Sequence, residues 1–319
     1  MDPSVDRHLK KLGFITAEKA FDQATNQIFL RKEGRIKPYK TKWFRFNKQL
    51  GGGIQPSTIY TVGGRPGVGK SAFVTRLLLD ICERNNVSRT LFAYWTWEMP
   101  GYQQILRGIS SHTARTVQEL MSAEVPLSDD LYAHILDTRE HWKNYPMYFM
   151  SYARNADYIY AAMKDLQGLD PGLHIVNIFD HTRLALKSKG VYSEEEKISR
   201  LYLAAQQLSV NYGMTNIFLS QLNRNIEEAH RKKNPVPMLS DFFGADSVGQ
   251  FSNVAIMLQR PEIYALNTYL GENSRNLLAV HIEKNRDGEA GGYIAFEHDL
   301  AVNFMYERYP LDNFPTYQL

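Results

Sequence analysis

Two periodicities alternate along this chain. Residues 57–62, 90–95, 145–150, 174–179, 215–219 and 254–258 are short runs of β-branched and aromatic residues, each bounded by turn formers. Between them, residues 71–84, 101–144, 158–169 and 197–211 space their apolar positions three and four apart, which predicts amphipathic helices. Strands alternating with helices predict a mostly parallel sheet covered on both faces. Three further β runs, 276–283, 293–297 and 302–307, follow without a helix between them and predict a C-terminal β-hairpin extension. The pattern assigns to the core Leu106, Ile109, Leu120, Met121, Leu131, Ile135 and Trp142. In the helix at 197–211 it assigns Ile198, Leu201, Leu203, Ala204, Leu208 and Val210.

The first 36 residues stand apart from this alternation. Thr16 is placed to cap a helix running to about Arg31, with Ala17, Ala20, Phe21, Ala24, Ile28 and Phe29 on one face. Gly34 stops it and Pro38 begins an extended stretch. The expected organisation is an N-terminal helical arm, 1–36, and one α/β domain, 37–319. One amphipathic helix cannot bury its own stripe, so it must dock on the main domain or on a neighbouring subunit.

Between the first strand and its helix lies Gly63-Gly64-Arg65-Pro66-Gly67-Val68-Gly69-Lys70-Ser71. Gly64, Gly69, Lys70 and Ser71 fit the phosphate-loop spacing G-x-x-x-x-G-K-[ST], in the strand–turn–helix context the motif requires. Backbone N–H groups of such a loop converge on one point, and the helix N-terminus adds partial positive charge there. The segment from Gly64 through Ala72 is therefore predicted to cradle a polyphosphate. Lys70 would reach its outer phosphates, and the Ser71 hydroxyl would hold Mg²⁺.

Composition narrows the rest only slightly. The 319 residues are 44% hydrophobic, enough for a proper core. Lys plus Arg is 37 against 34 for Asp plus Glu, and the net charge of +3 permits nucleic acid without demanding it. Cys82 is the one cysteine, which excludes a disulfide framework or a cysteine metal site within this sequence. The nine histidines show no metal-binding spacing. No apolar run reaches membrane-spanning length and the polar N-terminus has no signal-peptide core, so a cytoplasmic protein is expected.

Candidate chemistry sits at strand ends. Glu98 follows the run 90–95, where a carboxylate beside a phosphate loop can orient and deprotonate a water; the alternative is a surface Glu opening the next helix. Asp180 ends the run 174–179, where an acid supports the Mg²⁺ shell of a phosphate-loop ATPase; the alternative is an Asp capping a turn. Gln221, in Ser220-Gln221-Leu222-Asn223-Arg224, is placed to sense a γ-phosphate. Residues 225–240 contain Arg231, Lys232 and Lys233 and read as an exposed basic loop. Lys284-Asn285-Arg286-Asp287-Gly288 reads as a tight charged turn.

In that order, these pieces resemble the C-terminal motor domain of replicative hexameric helicases of the DnaB type, a branch of the RecA-like ATPases. The resemblance runs over about residues 40–310. It rests on Leu50-Gly51-Gly52-Gly53-Ile54-Gln55-Pro56, the phosphate loop, Trp97-Glu98-Met99, Ile178-Phe179-Asp180, Leu219 to Arg224, Met238-Leu239-Ser240-Asp241, and Lys284 to Gly288. It implies a RecA-like P-loop core and a homo-oligomeric ring, expected to be a hexamer, with ATP and Mg²⁺ at each subunit interface. It further implies that Glu98 polarises the water and Gln221 senses the γ-phosphate. Lys284 and Arg286 would reach the neighbour's ATP, with Arg286 as arginine finger, and Arg260 would stack on adenine. Two departures stand out. Phe242-Phe243-Gly244-Ala245-Asp246-Ser247-Val248-Gly249-Gln250 lacks the Arg and the Glu-Gln pair usual in a segment that lines the channel. His181 follows Asp180 where an aromatic is common. Candidate DNA contacts are Lys187, Lys189, Arg231, Lys232, Lys233, Phe243 and Gly244. The resemblance covers no collar domain, and residues 1–36 match at most the linker helix that packs on the adjacent subunit.

The expected function is an ATP-driven DNA helicase motor moving on single-stranded DNA at a replication fork, with a primase or loader as further partner. Two alternatives are a RecA-like DNA-binding ATPase that loads or mediates without unwinding, and a nucleotide-gated scaffold. Turnover without displacement of a forked duplex would mark the first; tight ATP binding without turnover would mark the second.

Overall fold

The structure is a computed structural model that describes residues 2–223 and 236–308. The chain divides into two units, residues up to 38 and residues from 39 onward. In the first, α1 (Pro3–Lys11) is capped by Asp2 and α2 (Ala17–Lys32) by Thr16, whose hydroxyl accepts from the Lys19 N–H. Neither helix buries a residue.

In the second unit the described residues form one sheet of nine strands. Its centre is β1 (Ile59–Gly64), paired in parallel with β5 (Thr215–Gln221) on one side and β6 (Val254–Gln259) on the other. Beyond β5 lie β4 (His174–Asp180), β2 (Thr90–Thr96) and β3 (Met147–Met150), all parallel. Beyond β6 the sheet turns antiparallel. A two-strand ribbon, β7 (Thr268–Tyr269) and β8 (Glu272–Asn273), precedes β9 (Leu277–Asn285), β10 (Tyr293–Asp299) and β11 (Phe304–Glu307). The expected α/β architecture and C-terminal extension are both present, the extension as a three-strand meander.

Strand alternation sends β1 into two cores. Tyr60 and Val62 face α3 (Phe44–Gln49) and α4 (Lys70–Arg84), with Trp43 stacked on Phe73 at 4.8 Å between ring centroids. Ile59 faces the opposite cluster, built on α8 (Ala156–Leu169) and α9 (Glu194–Tyr212). The predicted stripe of α4, Phe73, Val74, Leu77, Leu78 and Ile81, is buried throughout. Truncating one of these, as in Leu77→Ala, costs about 2–5 kcal/mol. Because Phe73 and Lys70 share one helix, this packing also fixes where the phosphate loop ends.

Some expectations fail for identifiable reasons. The helical region at 101–144 comprises α5 (Gly101–Thr113), α6 (Val117–Leu120) and α7 (Asp129–Trp142). Met121 follows the four-residue α6 and is exposed, not core. Leu203 and Val210 lie on the outer side of α9 and are exposed as well. Lys284 and Asn285 belong to β9, so the charged turn starts later than its composition suggests. The first strand lies two residues further on than predicted, since Gly63 and Gly64 remain paired with Ser220 and Gln221.

Candidate nucleotide site

The phosphate loop leaves the central strand and enters α4 with Gly69 at φ +103°, a left-handed conformation that explains glycine there. Lys70, the first residue of α4, folds back so that Nζ donates to the carbonyls of Gly64 (2.8 Å) and Arg65 (3.2 Å). Burial pulls its ammonium down to about 8, despite the nearby carboxylates of Asp180 and Glu98. A cleft of about 280 Å³ opens over the loop, lined by Lys70, Ser71, Glu98, Asp180, Gln221 and Leu300 among others. Leu300 comes from the β10–β11 connection and lies over Gly69.

Sheet order brings the two acids together. The ends of β2 and β4 are in register, Thr96 opposite Asp180, and the Trp97 N–H donates to the Asp180 carbonyl at 3.0 Å. Asp180 is buried, and its carboxylate accepts from Tyr94 Oη (3.2 Å), Gln104 Nε2 (3.3 Å) and the Ser71 hydroxyl. Burial raises its pKa and the Ser71 bond partly offsets this. Glu98 is half-exposed. Its Oε2 lies 3.6 Å from Nε2 of His181, a mostly buried ring whose pKa burial lowers.

Arg260, at the end of β6, donates from Nη1 to the Gly67 carbonyl at 3.3 Å and from Nε to Glu262 at 3.1 Å. It therefore sits beside the phosphate loop of its own chain. Lys284 and Arg286 do not. The Arg286 N–H donates to the carbonyl of Asn253, whose own N–H donates to Ile59, the first residue of β1. The phosphate loop leaves from the other end, five residues along, about 16 Å away at ordinary strand rise. Here Lys284 Nζ donates to the Gly249 carbonyl and Arg286 Nη2 to that of Gln250, each at 2.5 Å. Both carbonyls close α10 (Ala245–Phe251), where the helix dipole favours cations.

Of the candidate DNA contacts, Phe243 and Gly244 fall at the phosphate-loop end of the sheet. The Phe243 N–H donates to the Gln221 carbonyl at 3.1 Å, and Leu222 pairs with Phe242. The Phe242 ring lies so close to Gly63 that a Cβ there would sit 2.3 Å from it, so glycine is needed at that contact. Gly244, at φ +73°, starts α10. Arg183, in the loop after β4, stacks over Phe243 at 4.5 Å. Further along that loop Lys187 donates to the Tyr192 carbonyl at 2.6 Å, and Lys189 is exposed. Arg224, Arg231, Lys232 and Lys233 lie outside the described residues.

Residues 39–304 match the family model described as DnaB-like helicase C terminal domain. This chain belongs to that family. Among curated DnaB relatives, the replicative DNA helicase of Geobacillus stearothermophilus is 22% identical over 276 residues, 83% of this chain and 56% of its own length. That of Helicobacter pylori strain J99 is 26% identical over 216 residues, 67% of this chain and 42% of its own. The chain thus spans about half the length of these relatives. Its fold is similar to a solved structure described as an ATPase domain, with TM-score 0.76 and 19% identity over 89% of this chain and 97% of that one. It is also similar to a structure described as a DnaB-like replicative helicase and its interactions with primase, with TM-score 0.75 and 18% identity over 92% of this chain and 67% of that one. The RecA-like, DnaB-type fold expected from the motifs is therefore shown. Among the described residues no helix is long and apolar enough to cross a membrane.

The DnaB-like motifs do not include one cation of this cleft. Arg107, on α5, lines it beside Ser71 and Asp180, and its Nη1 is buried without a hydrogen-bond partner. A buried guanidinium nitrogen left unpaired is costly, and an anion in the cleft would relieve that cost. A sequence signal existed. Gln104, Arg107 and Ser111 recur at helical spacing and form a polar stripe between the apolar residues that define α5 as amphipathic.

Proposed function

We propose that this chain is the motor of an ATP-dependent replicative DNA helicase, acting as a ring that moves on single-stranded DNA. The observation that carries the reading is the split of charge across the sheet. The phosphate loop, acids and sensor share one end, and the arginine that the family supplies in trans sits at the other.

In this reading the loop N–H groups and Lys70 bind the triphosphate, and Arg260 stacks on the adenine. Ser71 and Asp180 fit a Mg²⁺ ion, since a buried carboxylate and a hydroxyl already meet there. When bound, that ion neutralises charge on the phosphate oxygens. Glu98 takes a proton from the attacking water. Lys284 and Arg286 of one subunit leave their helix carbonyls and reach the γ-phosphate bound by the next, so hydrolysis needs assembly. Gln221 senses that phosphate, and its backbone bond to Phe243 passes the state to a segment holding Gly244. Lys187, Lys189, Arg231, Lys232 and Lys233 would supply charge along the strand path. The arm at 1–36, with the apolar face of α2 unburied, would pack on the adjacent subunit. A hexamer, a primase or loader as partner, and a cytoplasmic setting belong to the same proposal.

The test is a forked duplex with one labelled strand. Wild-type protein should displace the strand with ATP and Mg²⁺, while Lys70→Ala should neither hydrolyse ATP nor displace it. Turnover stimulated by single strands without any displacement would contradict the helicase reading.

A further inference from the structure

We infer that His181 is a positioning residue for Glu98, holding the carboxylate where it takes the proton from water; this rests on the role proposed above for Glu98. The geometry begins with the sheet. β2 and β4 run side by side to Thr96 and Asp180, and the Trp97 N–H bond to the Asp180 carbonyl keeps the two chains together one residue further. Beyond it they part. Glu98 and His181 are the side chains that face each other across the opening, Nε2 to Oε2 at 3.6 Å.

The two partners differ in freedom. The His181 side chain is 10% exposed, while the Glu98 side chain is 52% exposed and has no other ion-pair or hydrogen-bond partner among the described residues. A half-exposed carboxylate on a rotatable stem spreads over several rotamers, and each unproductive one lowers the rate. An anchored ring at its tip selects among them. The other ring nitrogen, Nδ1, is buried with no hydrogen-bond partner, so the proton is better placed on Nε2, facing the carboxylate. In that tautomer the ring offers one N–H toward Glu98 and leaves the second carboxylate oxygen free for water. A plain aromatic ring in the same space would fill the volume without offering the N–H.

Steady-state ATPase kinetics of His181→Phe, His181→Gln, Glu98→Gln and the double variant His181→Phe/Glu98→Gln test this, with single-turnover assays for the slow ones. The Phe variant keeps the ring volume and removes the donor, and the Gln variant restores a donor on a flexible chain. We expect kcat to fall about ten- to a hundredfold in His181→Phe with the KM for ATP unchanged. His181→Gln should recover part of the loss. In the Glu98→Gln background, where no base remains to be positioned, His181→Phe should cost nothing more. A wild-type kcat in His181→Phe, or the same fold-loss in both backgrounds, would overturn the inference while leaving Glu98 as base. A Glu98→Gln protein with the wild-type rate would instead remove the base role itself.

Discussion

The two ends of the central sheet hold the same kinds of charge in opposite arrangements. At the phosphate-loop end, the cation of Lys70 is folded onto carbonyls of its own loop, and Arg107 has a buried nitrogen with no partner. At the other end Lys284 and Arg286 are both satisfied, each on a carbonyl at the close of α10. Both cations of the first end line the cleft over the phosphate loop. The second end stores its donors against a helix whose N-cap is Gly244, in the segment proposed to touch DNA. The difference teaches that a finger leaving α10 for a neighbour's phosphate would act on that segment in the same movement. Fuel and track would then be linked through one short helix.

Arg286→Ala offers the hardest break to this contrast. Removing the finger proposed to act in trans should lower turnover about 10³- to 10⁵-fold, with ATP binding by the intact loop largely kept. ATPase rates alongside fluorescent-nucleotide titration would check both parts, and a variant that turns over normally would leave the second end without a role. Arg107→Leu is expected to be smaller, about 10²-fold in kcat, because it removes one donor from the phosphate side while Lys70 remains. Its melting temperature should hold or rise, since a buried guanidinium nitrogen without a partner disappears with it. A lowered melting temperature with kcat unchanged would make Arg107 a structural residue.

The gentlest test is pH. Burial brings Lys70 from 10.5 down to about 8 in the free protein. Above that pH the free amine is neutral, and a bound triphosphate must first restore its proton. ATP affinity should therefore be flat near pH 7 and fall as pH rises past about 8, by at most about tenfold per unit. Calorimetry in two buffers of different ionisation heat should show proton uptake on binding there. An affinity constant up to pH 9.5 would mean that Lys70 stays charged throughout.

The two ends are also unequally legible in the sequence. The phosphate loop is local: Gly64 to Ser71 carry their spacing with them, and apolar periodicity marks the strand and helix on either side. Asp180 and Glu98 are legible as strand ends. Their meeting with His181 is not, because it depends on β2 and β4 being neighbours although α5, α6, α7, β3 and α8 lie between them in the chain. Periodicity gives the phase of a helix but not what covers it, which is why Leu203 and Val210 have the spacing of core residues and are exposed. Arg107 shows the same limit: its polar stripe is legible in the spacing of α5, but not that the stripe meets the cleft. The role proposed for Arg286 is legible from neither level within one chain. Its guanidinium lies on a carbonyl at the close of α10, and the proposed use in trans rests on family likeness and a second subunit.

The central claim is that each chain carries half of every site, and mixing two dead proteins tests it most directly. Lys70→Ala lacks a working pocket but keeps its finger; Arg286→Ala keeps the pocket and lacks the finger. Each alone should be inactive. Mixed in equal amounts and allowed to reassemble, about a quarter of the interfaces of a closed ring would pair a sound pocket with a sound finger. ATPase activity should then return toward that fraction of the wild-type rate. A mixture no more active than the sum of its parts would contradict the account.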